Sequence, residues 1–413
     1  MYVAVMGYGV VGSGVVELFG KNHGSIVRRS TQTEMEIRYI LDLRDFPGDP
    51  NEEKFTKDFQ KILQDEEVKI VVETMGGLHP AYEYVLACLK AGKSVVTSNK
   101  ELVAAKGYEL LQAAEENNVN FLFEASVGGG IPIIRPISQC LAANEIDEIA
   151  GILNGTTNFI LTRMIEDQMS FEDALRLAQE NGYAEKRTRR PTSKALTPAA
   201  RFAFWHLWHL VSMCIRMAFI RKALPKVHLR DVEYIRAWGG VIKLLGRAKR
   251  LKNGRISAMV SPAVVDRHSQ LAGVDDVFNA ILVRGDAIGD VVFYGRGAGK
   301  MPTASAVVAD VIDCAKHLNR KKLFGWGSSE EGYVADYRDM RTALYIRAQA
   351  SKPDQALEAA RKAFGEITAL HCEDAPADEI AFITPQDTER ELQAKLAGIN
   401  GLTLQSVIRM TDY

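Results

Sequence analysis

Residues 3–19 read VAVMGYGVVGSGVVELF and indicate how the first part of the chain folds. A short apolar strand runs into Gly7-Tyr8-Gly9-Val10-Val11-Gly12 and then into a helical pattern from Ser13 to Phe19. The GxGxxG spacing is a weak signal by itself. In this order of strand, turn and helix, however, it leaves a helix N-terminus and bare glycine backbone free to face a pyrophosphate. We therefore predict a dinucleotide-binding turn, with a plain strand-to-helix turn as the alternative.

The next segments alternate apolar strands with helices. The predicted strands are Glu36 to Leu43, Val68 to Thr74 and Ser94 to Thr97. This alternation is typical of an α/β fold with a doubly wound, Rossmann-type parallel sheet. Because ligands gather at the carboxyl ends of such strands, Thr74 to Gly77 and Ser98 to Lys100 are expected to meet the cofactor.

Two positions leave the ligand chemistry open. Asp42 suits a ribose 2′-hydroxyl and Arg44 suits a 2′-phosphate, so the sequence does not choose between NAD and NADP. The cation of Lys100 could hold a phosphate, a carboxylate or a polarised carbonyl, and its alternative is a solvated loop lysine.

A strand that ends at Glu124 runs into Gly128-Gly129-Gly130 and Pro132. Three glycines and a proline require unusual backbone angles, and they expose carbonyl oxygens that could bind a cation beside the Glu124 carboxylate. A plain tight turn explains the same residues equally well.

Composition divides the 413-residue chain at Lys186. Ten of the 51 basic residues and none of the 52 acidic residues lie in 186–228, which leaves 41 and 52, a net charge of about −11, elsewhere. The five cysteines form no CxxC pair, which argues against a disulfide scaffold or a zinc site. The first residues lack the basic region of a signal peptide, so a cytoplasmic location is expected.

Several long motifs resemble homoserine dehydrogenase, which interconverts L-homoserine and aspartate 4-semialdehyde with NAD(P). The resemblance covers nearly the whole chain except Lys186 to about His228. The motifs are GYGVVGSG from Gly7, TSNKELVA from Thr97, EASVGGGIPII from Glu124, NGTTNFIL from Asn154, NGYAE from Asn181, DVEYIRAWGG from Asp231 and YGRGAGKMPTASAV from Tyr294.

The resemblance implies a set of site residues. Lys100 and Glu185 would serve the substrate, with Glu185 binding the homoserine amino group. Glu124 and the carbonyl groups of Val127, Gly129 and Ile131 would hold a monovalent cation, sodium being expected. The dinucleotide, NADP or NAD, would be bound by Gly7, Gly9, Val10, Val11, Gly12, Thr74, Lys100, Gly182 and Gly299.

The resemblance fails immediately after Glu185. There the family has a motif of the form DPxxDxxGxDxxxK, whose aspartates bind substrate and whose lysine is the proposed proton donor, and this chain has Lys186-Arg187-Thr188-Arg189-Arg190 instead. With suitably chosen codons, a back-translation of Lys186 to Lys226 can be read from the third base of each codon as a family-like run that contains these acids and the lysine. We therefore hypothesise that a pair of compensating frameshifts produced residues 186–228.

The same segment has other interpretations. Lys186 to Arg190 could be a nucleic-acid arm, although it is short and lacks interleaved aromatic residues. Phe202 to Ile220 is apolar enough to suggest a membrane span, but His206, His209 and Arg216 make spanning costly. The two histidines could also bind a metal ion, although no acid or third ligand lies nearby in sequence. We expect neither a nucleic-acid nor a membrane partner.

Three domains are predicted. Residues 1–135 form the Rossmann domain, completed by 295–320, and residues 136–295 form an α+β substrate and dimerisation domain. Residues 335–413 have the order βαβαβ, which resembles a small ACT-like domain that binds an amino-acid effector, or serves as a plain dimerisation module. A homodimer or homotetramer is expected. Two functions remain: an active homoserine dehydrogenase and an inactive, cofactor-binding remnant.

Overall fold

A computed structural model describes residues 1–30, 34–181, 183, 227–318, 320, 333–411 and 413. These residues belong to two compact units. The first contains residues 1–144 together with the described residues from 293 to 320, and the second contains the remainder. Within the described residues, no helix has both the length and the apolar character needed to cross a membrane.

The first unit contains a six-stranded sheet in which every pairing is parallel. Its strand order is β3-β2-β1-β4-β5-β6. Strands β2 and β3 therefore lie on one side of β1, and the later strands β4, β5 and β6 lie on the other. This order confirms the predicted doubly wound sheet. The strands are β1 (Tyr2–Met6), β2 (Glu36–Leu41), β3 (Phe55–Thr56), β4 (Val68–Glu73), β5 (Ser94–Thr97) and β6 (Phe121–Leu122).

Helices connect the strands in both units. They are α1 (Val10–Lys21), α2 (His23–Arg29), α3 (Phe59–Gln64), α4 (Ala81–Lys90), α5 (Lys100–Glu116), α6 (Ala125–Gly128), α7 (Gly155–Glu166), α8 (Phe171–Glu180), α9 (Leu229–Trp238), α10 (Lys300–Lys316), α11 (Pro353–Phe364) and α12 (Glu389–Ala397).

The core of the first unit lies between its sheet and the helices α1 and α10. Val3 and Val5 of β1, Val15 of α1 and Val307 of α10 belong to one cluster of buried side chains. Helix α10 begins directly after Gly299, which is its N-cap.

The second unit contains a nine-stranded mixed sheet with the order β11-β10-β7-β8-β9-β17-β13-β15-β14. A separate two-stranded ladder joins β12 (Arg341–Thr342) to β16 (Asp387–Thr388). The strands of the large sheet are β7 (Ile146–Ile152), β8 (Gly240–Arg250), β9 (Ile256–Asp266), β10 (Phe278–Gly285), β11 (Gly289–Arg296), β13 (Leu344–Ala350), β14 (Thr368–Leu370), β15 (Glu379–Ile383) and β17 (Leu402–Met410).

Local sequence explains two boundaries in this unit. Helix α7 begins at Gly155, because the side chain of Asn154 accepts a hydrogen bond from the backbone N–H of Thr157 and caps the helix. The stretch from Asp231 to Leu251 contains both a helix and a strand. Gly239 ends α9 with a left-handed φ of 100°, and β8 follows at once.

In the C-terminal region, the helices and the strands of the large sheet follow the order βαββαβ, so the predicted order βαβαβ lacks one strand of that sheet, while β12 and β16 form the separate ladder. The missing strand, β14, has three residues and pairs with β15, and such a short segment has no detectable alternation in sequence. The strand order β17-β13-β15-β14 is that of ferredoxin-like modules. The sheet does not stop there, because Arg409 and Met410 of β17 pair with Ala263 and Val264 of β9.

A buried carboxylate fastens α9 to this sheet. Asp231 is fully buried, and one of its oxygens accepts hydrogen bonds from Arg347 Nε at 2.7 Å and from the Tyr345 hydroxyl at 3.0 Å. The other oxygen accepts from Ser406 Oγ at 2.6 Å and from the backbone N–H of His228 at 2.9 Å. A single side chain thus caps its own helix and binds strands β13 and β17.

Candidate active site

The turn from Gly7 to Gly12 is closed by packing that admits no side chain at its ends. Gly7 has a φ of 95°, a backbone angle that favours glycine. A Cβ atom on Gly12 would lie 1.8 Å from the carbonyl oxygen of Gly7 and 2.8 Å from Thr74 Oγ1. The Thr74 hydroxyl itself donates to the Gly7 carbonyl oxygen at 2.8 Å. The end of β4 is therefore joined to the turn that follows β1.

Gly9 differs from both neighbouring glycines, because a Cβ atom there would meet no atom within 4 Å. Gly9 is also the N-cap of α1, which has no side-chain cap and no acidic residue in its first turn. Backbone N–H groups at such an end attract anions. Val10, the first residue of α1, is 68% exposed, and Leu43, which follows β2, is 81% exposed. The open backbone and these apolar side chains fit a dinucleotide laid across the turn.

The carboxylate of Asp42, which the sequence predicts to face a ribose, already accepts hydrogen bonds from the protein itself. It accepts hydrogen bonds from the Tyr8 N–H at 2.8 Å and from Arg44 through its backbone N–H, Nε and a terminal guanidinium nitrogen. The Arg44 side chain holds the pKa of Asp42 well below its usual range, with burial opposing it. Asp42 and Arg44 line a cavity of about 430 Å³ together with Phe46, Phe55 and Lys57.

Lys100 stands where the sequence predicts, at the carboxyl end of β5. It is the first residue of α5 and is exposed. The preceding Asn99 caps α5 by accepting from the Leu102 N–H at 3.1 Å, and its amide donates to the Gly77 carbonyl oxygen at 2.6 Å. The two loops that follow β4 and β5 are therefore tied together directly below Lys100.

The triple-glycine turn packs against the turn that precedes α10. Gly129 has a φ of 62°, and a Cβ atom there would lie 2.0 Å from the carbonyl oxygen of Gly297. The N–H of Gly130 donates to the Arg296 carbonyl oxygen at 3.3 Å. The structure thus brings the predicted cation loop beside the turn that contains Gly299, although the two are far apart in sequence.

The Glu124 carboxylate holds the segment that follows the triple-glycine turn. It accepts from the backbone N–H groups of Ile133, Ile134 and Arg135 at 2.5 to 2.9 Å. Its own N–H donates to the buried carboxyl group of Asp310 at 2.9 Å. Burial raises the pKa of Asp310 to about 8, against the opposing effect of the nearby Arg135 guanidinium.

In the second unit, the first turns of α7 hold the described part of the NGYAE segment. The Thr156 hydroxyl donates to the Tyr183 carbonyl oxygen at 2.5 Å, and the Phe159 and Tyr183 rings meet edge to face at 5.1 Å. Asn158 is buried and donates to the carbonyl oxygens of Val274, Asp276 and Phe278. Gly182, Glu185 and the proposed frameshifted residues up to 226 lie outside the described residues.

The sequence analysis did not single out several buried polar residues. Glu73 and Asp310 in the first unit, and Asn158 in the second, each form a hydrogen bond with a residue that is distant in sequence. Glu73 had a detectable signal, because it is an acid at the end of the otherwise apolar strand segment Ile70 to Val72. Asp310 lies in a helix, where an acid normally indicates a solvated face.

Comparison with known proteins agrees with this geometry. A sequence model of homoserine dehydrogenase matches residues 132–312, and one of the homoserine dehydrogenase NAD binding domain matches residues 7–124. Homoserine dehydrogenase of Neisseria gonorrhoeae is 33% identical over 97% of this chain and 95% of its own length. The homoserine dehydrogenase of Bacillus subtilis is 36% identical over 76% of this chain and 73% of its own length.

Solved structures give the same result. The crystal structure of a homoserine dehydrogenase from Thiobacillus denitrificans matches with a TM-score of 0.80 and 32% identity, covering 100% of this chain and 98% of that one. A structure of the S. aureus enzyme matches with a TM-score of 0.73 and 30% identity. The chain therefore belongs to the homoserine dehydrogenase family of NAD(P)-dependent oxidoreductases.

Proposed function

We propose that this protein interconverts L-homoserine and L-aspartate 4-semialdehyde in threonine and methionine biosynthesis, and that the turn from Gly7 to Gly12 binds its cofactor. The observation that carries the proposal is the open backbone at Gly9 beside the uncapped N-terminus of α1. Thr74 and Lys100 would approach the same ligand from the ends of β4 and β5, and Gly299 from the turn before α10.

The bound nicotinamide supplies or accepts the hydride. The carbonyl oxygen of the semialdehyde gains negative charge during reduction, so a proton donor or a cation must lie within hydrogen-bond reach of it. Lys100 is an exposed cation at the edge of the sheet where ligands bind. Glu185 would hold the homoserine amino group, as the family resemblance implies.

We also assign the loop around Gly129 to a monovalent cation. The Glu124 carboxylate is engaged by three backbone N–H groups, so the carbonyl oxygens of Val127, Gly129 and Ile131 would supply the ligands. Oxygen ligands of this kind suit hard cations such as sodium. The negative charge of Glu124 would stabilise the bound cation from the far side of the loop.

The preferred cofactor in this proposal is NADP. Arg44 occupies both oxygens of Asp42, while its own side chain remains 62% exposed at the rim of the cavity, near Lys57. Replacing Arg44 with alanine is expected to raise the Kd for NADP by about tenfold, the effect of one lost charged hydrogen bond, and to leave the Kd for NAD within about twofold. Fluorescence titration with each reduced cofactor measures this, and equal losses for both would contradict the preference.

Catalysis in the family uses acids and a lysine that follow the NGYAE segment. This chain has residues 186–228 in their place, and we attribute that segment to a shifted reading frame. The chain as it stands is expected to bind NADPH but to oxidise L-homoserine far more slowly than a variant in which the third-base frame restores the acids and the lysine. The assay follows NADPH formation from L-homoserine and NADP for both proteins. Equal turnover would show that the chain as it stands is not impaired, and failure of both proteins to bind NADPH would refute the proposed function. The frameshift itself is tested by the DNA sequence, and stops or unrelated residues in the third-base frame would refute it.

The C-terminal βαββαβ module is proposed to bind an amino-acid effector, by its resemblance to ACT-like domains. Its ferredoxin-like strand order supports this proposal, while its continuity with β9 supports the alternative of a dimerisation module. Equilibrium dialysis with threonine would distinguish the two. A homodimer or homotetramer is proposed from the resemblance to homoserine dehydrogenase.

A further inference from the structure

Glu73 lies at the junction of the two loops that follow β4 and β5. It is the last residue of β4 and is fully buried. One carboxylate oxygen accepts hydrogen bonds from the backbone N–H groups of Met75 at 2.8 Å and Gly76 at 3.2 Å. Glu73 thus fixes the start of the loop whose first residue, Thr74, supports the glycine turn.

The second carboxylate oxygen reaches across to β5. The Thr97 hydroxyl donates to it at 2.5 Å, and the Thr97 oxygen in turn accepts from the N–H of Asn99 at 2.9 Å. The Ser98 N–H donates to the backbone carbonyl oxygen of Glu73 at 3.3 Å. The loop that leads to Lys100 is therefore held by the same residue as the loop that contains Thr74.

The position requires a side chain that accepts hydrogen bonds at two oxygens. All the groups that contact the carboxylate are donors, and an ionised carboxylate accepts at both oxygens, whereas an amide accepts at one. Among the described residues, no lysine, arginine or histidine forms an ion pair with Glu73. Burial of such a group is costly, and it raises the pKa of Glu73 against the effect of these hydrogen bonds. An apolar residue would end a buried strand at lower cost.

We infer that Glu73 is a positioning residue for the nicotinamide half of the cofactor, an inference that rests on the proposed function. In the sheet order β3-β2-β1-β4-β5-β6, a dinucleotide spans the reversal between β1 and β4, with its adenosine half on the side of β2. Glu73 and Thr97 lie on the opposite side. Through the two loops, the carboxylate holds Thr74 and Lys100 in the arrangement that the second half of the cofactor meets.

The test compares Glu73→Gln and Thr97→Val with the unaltered full chain. Each variant is titrated by fluorescence with NADPH, and in competition with adenosine 2′,5′-bisphosphate, which lacks the nicotinamide half. Glu73→Gln is expected to raise the Kd for NADPH by about tenfold and Thr97→Val by about threefold, with the Kd for the bisphosphate unchanged. Val72→Ala is the matched control, because Val72 is fully buried one residue earlier and contributes only packing.

Each result decides a separate point. A selective loss of NADPH affinity in both variants, absent in Val72→Ala, supports the positioning role. Unchanged NADPH affinity in Glu73→Gln, or an equal loss for NADPH and the bisphosphate, overturns it while leaving the proposed function intact. If Glu73→Gln does not fold, Thr97→Val decides by the same two criteria. Failure of the unaltered chain to bind NADPH overturns the proposed function, and the role of Glu73 with it.

Discussion

Replacing Gly12 with alanine is expected to abolish cofactor binding and to destabilise the first unit. The new Cβ atom would lie 1.8 Å from the Gly7 carbonyl oxygen, and that oxygen also accepts the Thr74 hydroxyl. The turn must open, which separates β4 from the glycine turn. We expect the Kd for NADPH to rise by at least about 100-fold and the free energy of unfolding to fall by about 3 kcal/mol, as in overpacked sites.

The matched control is Gly9→Ala. Gly9 has a φ of −81°, and no atom lies within 4 Å of the position that its Cβ would take. Alanine there is expected to change the free energy of unfolding by less than about 0.5 kcal/mol. NADPH affinity should nevertheless fall, because the methyl group occupies space that the pyrophosphate needs. Urea unfolding and fluorescence titration of both variants separate the two effects. A stable Gly12→Ala that binds NADPH normally would contradict the tight turn.

Replacing Asp231 with alanine is expected to lower the free energy of unfolding of the second unit by about 2–3 kcal/mol, because the buried Arg347 loses one of its two carboxylate partners and keeps only Glu379. It also removes the acceptor for Tyr345, Ser406 and the N-terminus of α9. Denaturant unfolding monitored by circular dichroism measures this loss.

The exposed pair of Asp336 and Arg338 supplies the control for Asp231. Both side chains are accessible to solvent, and such pairs contribute little to stability. Arg338→Ala is therefore expected to leave the unfolding midpoint unchanged within measurement error. Equal losses in Asp231→Ala and Arg338→Ala would mean that the buried network does not fasten α9 to the sheet.

The sheet of the first unit could be predicted because its signals are local. The longer strands β1, β4 and β5 are short, mostly apolar runs, and the predicted strand from Ser94 to Thr97 has the same bounds in the structure. The glycine turn was recognisable for the same reason, since its strand, turn and helix are consecutive. Periodicity and turn chemistry act over a few residues, so sequence reasoning captures them well.

The support beneath the site could not be predicted, because it consists of contacts between distant residues. Nothing in the sequence near Glu73 indicates that Thr97 donates to it, or that Asp310 accepts from the N–H of Glu124. Asp231 gave a similar false impression, because an acid in the first turn of a helix usually faces solvent and favours the helix dipole. The roles assigned to Lys100, Glu185 and the cation loop remain predictions.

The position of β17 has a consequence for synthesis of the protein. Leu402–Met410 is the last strand in sequence but lies between β9 and β13 within the sheet. Both neighbours leave the ribosome first, so each has an unpaired edge until the final strand arrives, and such edges invite pairing with other chains. A nascent chain stalled before Leu402, or one truncated there, should therefore aggregate or require a chaperone, even though its cofactor turn is complete.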